Sequence, residues 1–172
     1  MSNEIDDKAA DAIWTMRCKT LHDAWVQVRY HKKRQRFFDL IDKITKSATV
    51  LLGASLLGEW LKDYLPWIGG IISSLGFLAL IFGYGDRKQS HKDFAEQATN
   101  LVAGIELVPA GQLTPAIVAG FKADYARLCA KAPPPLKTLT IICEHEQSTA
   151  SGYPNHVKLP SLYRRAVADF KN

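Results

Sequence analysis

The longest apolar stretch of the chain is an uncharged run of 22 residues, Tyr64–Gly85. As an α-helix, a run of this length rises about 33 Å, and the hydrocarbon core of a bilayer is about 30 Å thick. The pattern therefore predicts a transmembrane helix. The alternative is a buried core helix of a soluble protein, which rarely needs an uncharged run this long.

A shorter uncharged run, Ser47–Gly58, precedes it and has 12 residues. This run is too short to span a bilayer alone. It becomes long enough if the helix extends to Asp63 and its charged residues lie among the lipid headgroups, where a charge costs little. Pro66 would then lie in the turn between two helices. The two runs together predict a transmembrane hairpin, with spans at about 47–63 and 66–85.

Aromatic residues mark both edges of the predicted membrane region. Trp60, Tyr64 and Trp67 lie at the expected outer tip of the hairpin, and Tyr84 lies at its inner end. Because Trp and Tyr are enriched at membrane interfaces, this placement supports the hairpin. Glu59 lies at the same tip, where an acidic residue either marks the interface or contributes to function.

The basic residues lie mainly outside the predicted hairpin. The loop between the spans holds only Lys62, whereas many lysines and arginines precede the first span or follow the second. By the positive-inside rule, this bias predicts that both chain termini are cytoplasmic. The basic cluster before the first span favours contact with anionic headgroups, and its alternatives are a solvated helix face and a nucleic-acid patch. The headgroup-contact candidates are Arg29, Lys32, Lys33, Arg34 and Arg36.

Small residues recur four positions apart in both predicted spans. This spacing puts two small residues on one helix face and lets another helix approach closely, so it predicts helix association and a homo-oligomer. The alternative is the general abundance of Gly and Ala in membrane helices. The candidates for helix packing or a pore are Ala54, Gly58, Glu59, Gly69, Ser73, Ala79 and Gly83.

The segment from Glu4 to about Arg36 has no Pro or Gly and predicts one long helix. Apolar residues recur along it at alternating spacings of four and three, which is typical of helices that pack in a bundle. His22 and His31 lie among polar residues and are expected at the surface. The bundle seam consists of Trp14, Cys18, Leu21, Trp25 and Val28.

Two more amphipathic helices are predicted after the membrane region. Ser90 would cap the first, which would end near Val108. Thr114 would cap the second, with Pro115 at its first position and its end near Ala130. Their apolar stripes need a partner, and the N-terminal helix supplies one. A cytoplasmic helical bundle is therefore expected.

A run of prolines, Pro133–Pro135, separates this bundle from a C-terminal tail. Leu139–Cys143 is rich in β-branched residues and predicts a short extended segment. Ser161 would cap a short last helix. The expected fold class is an all-α membrane protein, with a two-helix transmembrane hairpin, a cytoplasmic helical bundle and a short mixed C-terminal tail. Its parts are the N-terminal cytoplasmic helix (1–46), the hairpin (47–85), the cytoplasmic helices (86–132) and the tail (133–172).

Composition and motifs narrow the function further. Hydrophobic residues make up 47% of the chain, which excludes wholesale disorder. The three cysteines are odd in number and far apart, which favours a reducing, cytosol-facing environment over a disulfide framework. Cys143, His145 and His156 match no established zinc spacing, and the sequence has no phosphate-binding glycine loop. We therefore expect no enzyme activity, no metal, no cofactor and no nucleic-acid partner.

The arrangement resembles the SLATT family, the SMODS and SLOG-associating two-transmembrane effector domains. The shared features are a basic, Trp-containing N-terminal helix, a tight two-span hairpin and trailing cytoplasmic helices, over about Ile13 to Leu128. The residues that carry the resemblance are RYHKKRQRFFDLIDKITKSATVLLGASLLGEWL and YLPWIGGIISSLGFLALIFGYGDRKQSHKDFAEQATNLVAGIEL.

This resemblance implies a pore-forming effector of antiviral defence and abortive infection, which would oligomerise in the bacterial inner membrane and permeabilise it. A separate sensor or nucleotide-messenger synthase would supply the trigger, because the sequence contains no recognisable sensor domain. The alternative function is a membrane scaffold that forms no pore and docks a cytosolic partner. An enzyme held at the membrane by the hairpin is the third possibility, and no catalytic motif favours it.

Overall fold

The fold is known from a computed structural model, which describes residues 2–55 and 63–170. These residues form helices and no strand, so the all-helical part of the expected fold is confirmed. The helices are α1 (Ser2–Ser55), α2 (Leu65–Phe82), α3 (Tyr84–Glu106), α4 (Pro115–Lys131), α5 (Lys137–Ala150) and α6 (Leu162–Ala166), with a 3-10 turn at Ala110–Gln112.

Helix α1 is longer than the helix expected to end near Arg36. It continues without a break to Ser55, because neither Pro nor Gly occurs between Ser2 and Leu52. It therefore enters the first of the two predicted spans. The rest of that span includes residues 56–62, which lie outside the described residues. A two-span hairpin is not confirmed by the described part of the chain.

Helices α2 and α3 meet at Gly83, and the expectation that Ser90 caps α3 is wrong. Gly83 has a φ of 53°, in the left-handed region that glycine adopts at little cost. Its N–H donates to the carbonyl of Ala79 at 3.1 Å, and its carbonyl accepts from the N–H of Arg87 at 3.0 Å. The first bond ends α2 and the second begins α3, so Ser90 lies inside a helix that is already formed.

Helix α4 begins as expected. The Thr114 hydroxyl accepts a hydrogen bond from the N–H of Ile117 at 3.3 Å, and Pro115 occupies the first turn, where its missing N–H costs nothing. The helix ends at Lys131, before the proline run Pro133–Pro135. The expected cap and the expected end of this helix are both confirmed.

The extended segment expected at Leu139–Cys143 is wrong, because these residues belong to α5. Leu139, Ile142, Cys143 and Gln147 are buried, at spacings of three, one and four that define one helix face. Burial of this face outweighs the weak strand preference of the β-branched residues, which depends on context. The tail is therefore helical rather than mixed.

The last helix, α6, follows Ser161, whose side chain makes no capping hydrogen bond. Leu162, Tyr163 and Phe170, which regular helical spacing would place on the apolar side of this helix, are exposed. Ala168 is buried instead and packs with α1 and α5. Because α6 has five residues and is followed by turns, the residues that it buries differ from those that a longer, regular helix would bury.

The chain divides into two compact units. Unit 1 comprises the described residues of Met1–Lys32 and Lys92–Asn172, and unit 2 comprises those of Lys33–His91. In unit 1, α1 packs on two sides. One cluster joins it to α5 and Ala168, and the other joins it to α3 and α4. The first contains Val26, Tyr30, Leu139, Ile142, Cys143 and Ala168, and the second contains Ala24, Val28, Ala98, Val102 and Leu128.

His31 lies inside unit 1, and the expectation that it is at the surface is wrong. Its side chain is 1% exposed. The ring stacks on Phe94 with centroids 5.1 Å apart and meets Tyr30 edge-on at 5.2 Å. The Tyr30 hydroxyl accepts a hydrogen bond from the N–H of Leu136 at 3.0 Å, which ties the proline run to α1. Two aromatic neighbours thus bury a residue that its sequence context marked as polar.

Candidate membrane site

Helix α2 has the dimensions of a membrane span. Its 18 residues rise about 27 Å, close to the thickness of a hydrocarbon core. Pro66 lies in its first turn, and none of its residues is charged. Within the described residues, one helical stretch, which begins at Leu65, is long and apolar enough to cross a membrane.

The apolar side chains of α2 are mostly exposed. Ile68 is its one buried residue, at 8% exposure, whereas Trp67 is 76% exposed, Phe77 63% and Leu80 81%. A core helix of a soluble protein would be buried among other residues. A contiguous apolar surface of this kind marks an interaction with lipid or with another protein.

The candidate Gly69 and two further glycines of α2 have open space around them. A Cβ built on Gly69, Gly70 or Gly76 would meet no described atom within 4 Å. Ser73 is exposed and Ala79 is half-buried. These positions leave room for another helix to approach closely, as small residues in membrane helices do.

The other candidates of this group are placed differently. Gly83 stops α2 rather than continuing the face of Ala79. Ala54 lies near the end of α1. Gly58, Glu59 and Trp60 lie outside the described residues.

A cluster of aromatic and basic residues lies in unit 2 near the C-terminal end of α2. We call it the collar, and its core is the ring of Phe38 on α1. The guanidinium groups of Arg34 and Arg87 lie 4.6 Å and 6.0 Å from the centre of this ring. Cations over an aromatic face are attracted by its quadrupole, so the ring holds two positive charges together. The collar consists of Arg34, Phe37, Phe38, Asp39, Lys43, Arg87, Lys88 and His91.

His91 is buried within the collar, at 6% exposure, and its ring stacks on Phe38 with centroids 5.6 Å apart. Burial, together with the neighbouring positive charges of Arg34 and Arg87, lowers the pKa of the imidazole to about 4. The imidazole is therefore neutral at pH 7. It adds stacking to the collar without adding a third positive charge.

An acidic residue anchors the other side of the collar. The Asp39 carboxylate accepts hydrogen bonds from Nζ of Lys43 at 2.8 Å and from Nζ of Lys88 at 2.6 Å. These two hydrogen bonds lower the pKa of Asp39 to about 2, and Asp39 in turn raises the pKa of Lys88. The ion pair with Lys88 joins α1 to α3, because Asp39 lies on the first helix and Lys88 on the second.

The five headgroup-contact candidates lie in different surroundings. Arg29 donates from Nε to Oε1 of Gln147 at 2.8 Å, so its guanidinium is held within unit 1. Arg34 belongs to the collar. Lys32 and Arg36 are exposed, and Lys33 is half-buried.

The bundle-seam candidates divide into two parts. Val28 is buried, and Leu21 and Trp25 pack beside it against the α3–α4 cluster. Trp14 and Cys18 are exposed. The guanidinium of Arg17 lies over the Trp14 ring at 5.0 Å and donates to the carbonyl of Ile105 at 3.2 Å.

Two of the three residues that were compared with zinc spacings have other surroundings. Cys143 is buried in the core, and Nδ1 of His145 lies 2.7 Å from the carbonyl oxygen of Val157. In the part of the chain that the structure describes, no group of three or more His, Cys, Asp or Glu side chains could hold a metal ion.

The sequence reasoning missed Phe38, Asp39 and His91 as parts of one site. The pair Asp39–Lys43 has the four-residue spacing of a helical ion pair and was visible. Arg87 and His91 have the same spacing. The contacts of Phe38 with His91 and of Asp39 with Lys88 join residues about fifty positions apart, which no local pattern reports.

No family model, no curated protein and no solved structure matches this chain.

Proposed function

We propose that this chain is an integral membrane effector that oligomerises and permeabilises the bacterial inner membrane in antiviral defence. A partner protein or a nucleotide second messenger would trigger it, as the resemblance to SLATT domains implies. Helix α2 would span the membrane, and unit 1 would form a helical bundle in the cytoplasm.

The observation that carries this proposal is the exposed apolar surface of α2. Apolar surface transferred out of water is stabilised by roughly 25 cal/mol per Å², so exposed side chains such as Trp67, Phe77 and Leu80 would be unfavourable in water. A bilayer covers every side of such a helix and matches its length. A partner protein would cover one face only.

The collar supports a membrane orientation. Arg87 lies in the first turn of α3, one turn beyond the end of α2, at the level where lipid headgroups would lie. Its charge and that of Arg34 are held beside the aromatic ring of Phe38. Basic residues next to a span favour the cytoplasmic leaflet, whose lipids are anionic. The collar would therefore lie on the cytoplasmic side.

Permeabilisation requires several copies of the chain. One or two membrane helices enclose no channel, so conduction needs an assembly. The open positions Gly69, Gly70 and Gly76 provide surfaces on which helices from neighbouring copies would pack. If the chain inserts without conducting, the alternative is a membrane scaffold that docks a cytosolic partner through unit 1.

The test is the membrane potential of bacteria that express the chain, followed with a voltage-sensitive dye. We expect depolarisation by the wild-type chain. Phe77→Arg places a charge inside the span, where it costs about 3 kcal/mol, and should abolish depolarisation. Phe170→Arg is the matched control, because Phe170 is also exposed but lies outside the span, and it should depolarise like the wild type.

Protein levels in the membrane are measured in parallel. An unchanged potential at high membrane levels of the wild-type chain, with its trigger present, would reject permeabilisation and favour the scaffold.

A further inference from the structure

Unit 1 contains a cavity of about 700 Å³ between α1, α4, α5 and the loop that follows α5. This volume lies within the range of cavities that hold small organic ligands, about 300–1,000 Å³. Its wall combines polar groups with apolar side chains. The residues that matter for recognition are Lys19, Asp23, Val26, Tyr125, Glu144 and Ser148.

One buried hydroxyl in this wall lacks a partner. Ser148 is 2% exposed, and its Oγ makes no hydrogen bond to any residue that the structure describes. A buried polar group without a partner costs free energy, which a ligand group would recover. Since Ser148 lines the cavity, its open hydrogen-bonding position is available to a group bound in this space.

The charges of the cavity favour a cation. Asp23 on α1 and Glu144 on α5 contribute two carboxylates from different helices, and Lys19 contributes the one lysine among the lining residues. The wall therefore has two carboxylates and one lysine, whereas the whole chain has a net charge of +5. A phosphate or a nucleotide would be repelled by this wall, and an ammonium group would be attracted.

The carboxylate of Asp23 is partly desolvated. Burial raises its pKa, and the charges of His22 and Lys19 offset this only in part. A further positive charge near Asp23 would therefore stabilise its ionised form. An ammonium group bound inside the cavity would supply that charge.

The cavity wall also contains apolar and aromatic side chains. Val26 and Val157 present aliphatic surface, and the Tyr125 ring lines the same space. The Tyr125 hydroxyl accepts a hydrogen bond from Nε2 of Gln27 at 3.5 Å, which fixes the ring. Such a wall fits a methylene chain with charged ends better than it fits a compact, strongly hydrated ion.

We propose that this cavity binds an aliphatic polyamine, with one ammonium group at Asp23, another at Glu144 and a hydrogen bond to Ser148. The methylene segments would lie along Val26 and Val157. This assignment does not depend on the membrane function, because every residue in it belongs to unit 1.

The test is isothermal titration calorimetry of the full chain in detergent, with spermidine as the probe and ATP as the anionic comparison. We expect spermidine to bind and ATP not to bind. Glu144→Gln and Asp23→Asn should each weaken spermidine binding about tenfold or more, since each removes a charge-assisted hydrogen bond. Ser148→Ala should weaken it by a smaller factor.

The matched control is Glu96→Gln, which removes the same charge from an exposed residue of α3 outside the cavity. This variant should bind spermidine like the wild type. Circular dichroism of each variant shows whether its helices are intact. If a variant does not fold, the binding of N-acetylated spermidine to the wild-type chain is measured instead. Acetylation removes one ammonium group of the probe, and it should weaken binding by about the same factor as the loss of one carboxylate.

No spermidine binding to the folded wild-type chain would overturn the assignment. Equal weakening by Glu96→Gln and Glu144→Gln would also overturn it, because it would show attraction to surface charge alone.

Discussion

A buried imidazole beside two guanidinium groups makes the collar sensitive to acid. The pKa of His91 is about 4 in the folded chain and about 6.5 when exposed. Between these values the unfolded chain binds a proton that the folded chain does not, so the free energy of unfolding falls as the pH falls through this window. The stabilising contribution of the neutral imidazole is complete above about pH 6.5.

We therefore expect the folded chain to lose about 2 kcal/mol of stability through His91 between pH 7 and pH 4.5. The measurement is the thermal midpoint of helix unfolding by circular dichroism in detergent at the two pH values. His91→Phe preserves a ring that can stack on Phe38 but removes the titrating group. The difference between wild type and variant isolates the contribution of His91 from that of the acidic residues. An identical pH dependence in both proteins would refute it.

At the scale of helices, the sequence pattern predicted the start of α4 correctly, because neighbouring residues determine it. Thr114 and Pro115 fixed the start of α4, because a cap and a first-turn proline act on neighbouring atoms. The start of α3 and the helical state of Leu139–Cys143 were not predicted. The start of α3 follows from a local turn at Gly83, inside a run that the sequence pattern treats as one continuous span. The helical state of Leu139–Cys143 follows from burial of one face of α5 against α1, which a short window does not contain.

Helix α2 also shows how far the candidate site could be predicted. Its length and its lack of charge were readable from the sequence, because lipid imposes a simple compositional rule. The collar was not readable, since Phe38 and His91 meet only when α1 and α3 lie side by side. The pairing of Asp39 with Lys88 has the same origin.

The open face of α2 gives an element-scale prediction. Gly69→Leu adds a side chain where a Cβ would meet no described atom within 4 Å, so the fold of a single copy should not change. If copies pack through this face, the leucine should prevent close approach and reduce the oligomer to a monomer. The measurement is the molar mass in detergent by light scattering.

Gly120→Leu is the control for this experiment, because Gly120 is equally open but lies on α4, outside the span. It should leave the oligomer unchanged. A wild-type chain that is strictly monomeric even with its activator would contradict the assembly, as would an oligomer that Gly69→Leu leaves intact.

At the scale of the whole molecule, the number of spans decides the topology. Two spans put both chain ends on one side of the membrane, and one span puts them on opposite sides. The basic residues before residue 47 and after residue 85 favour the first arrangement, with both ends in the cytoplasm. Residues 56–62 of the first predicted span lie outside the described residues. Reporter fusions in cells measure the topology directly.

We expect reporters that are active only in the periplasm to be inactive when fused before residue 1 or after residue 172. Reporters that require the cytoplasm should be active at both positions. Activity of a periplasmic reporter at one end alone would show a single span. Activity at both ends would show that the hairpin has the opposite orientation to the predicted one.

The most direct measurement is alkaline extraction of membranes from cells that express the chain, because every other proposal of function requires that α2 lies in lipid. The wild-type chain and Phe170→Arg should stay with the membrane pellet, as integral proteins do. Phe77→Arg should shift to the supernatant, because its charge opposes insertion by about 3 kcal/mol. A wild-type chain released into the supernatant would show that the apolar face of α2 is covered by protein rather than by lipid.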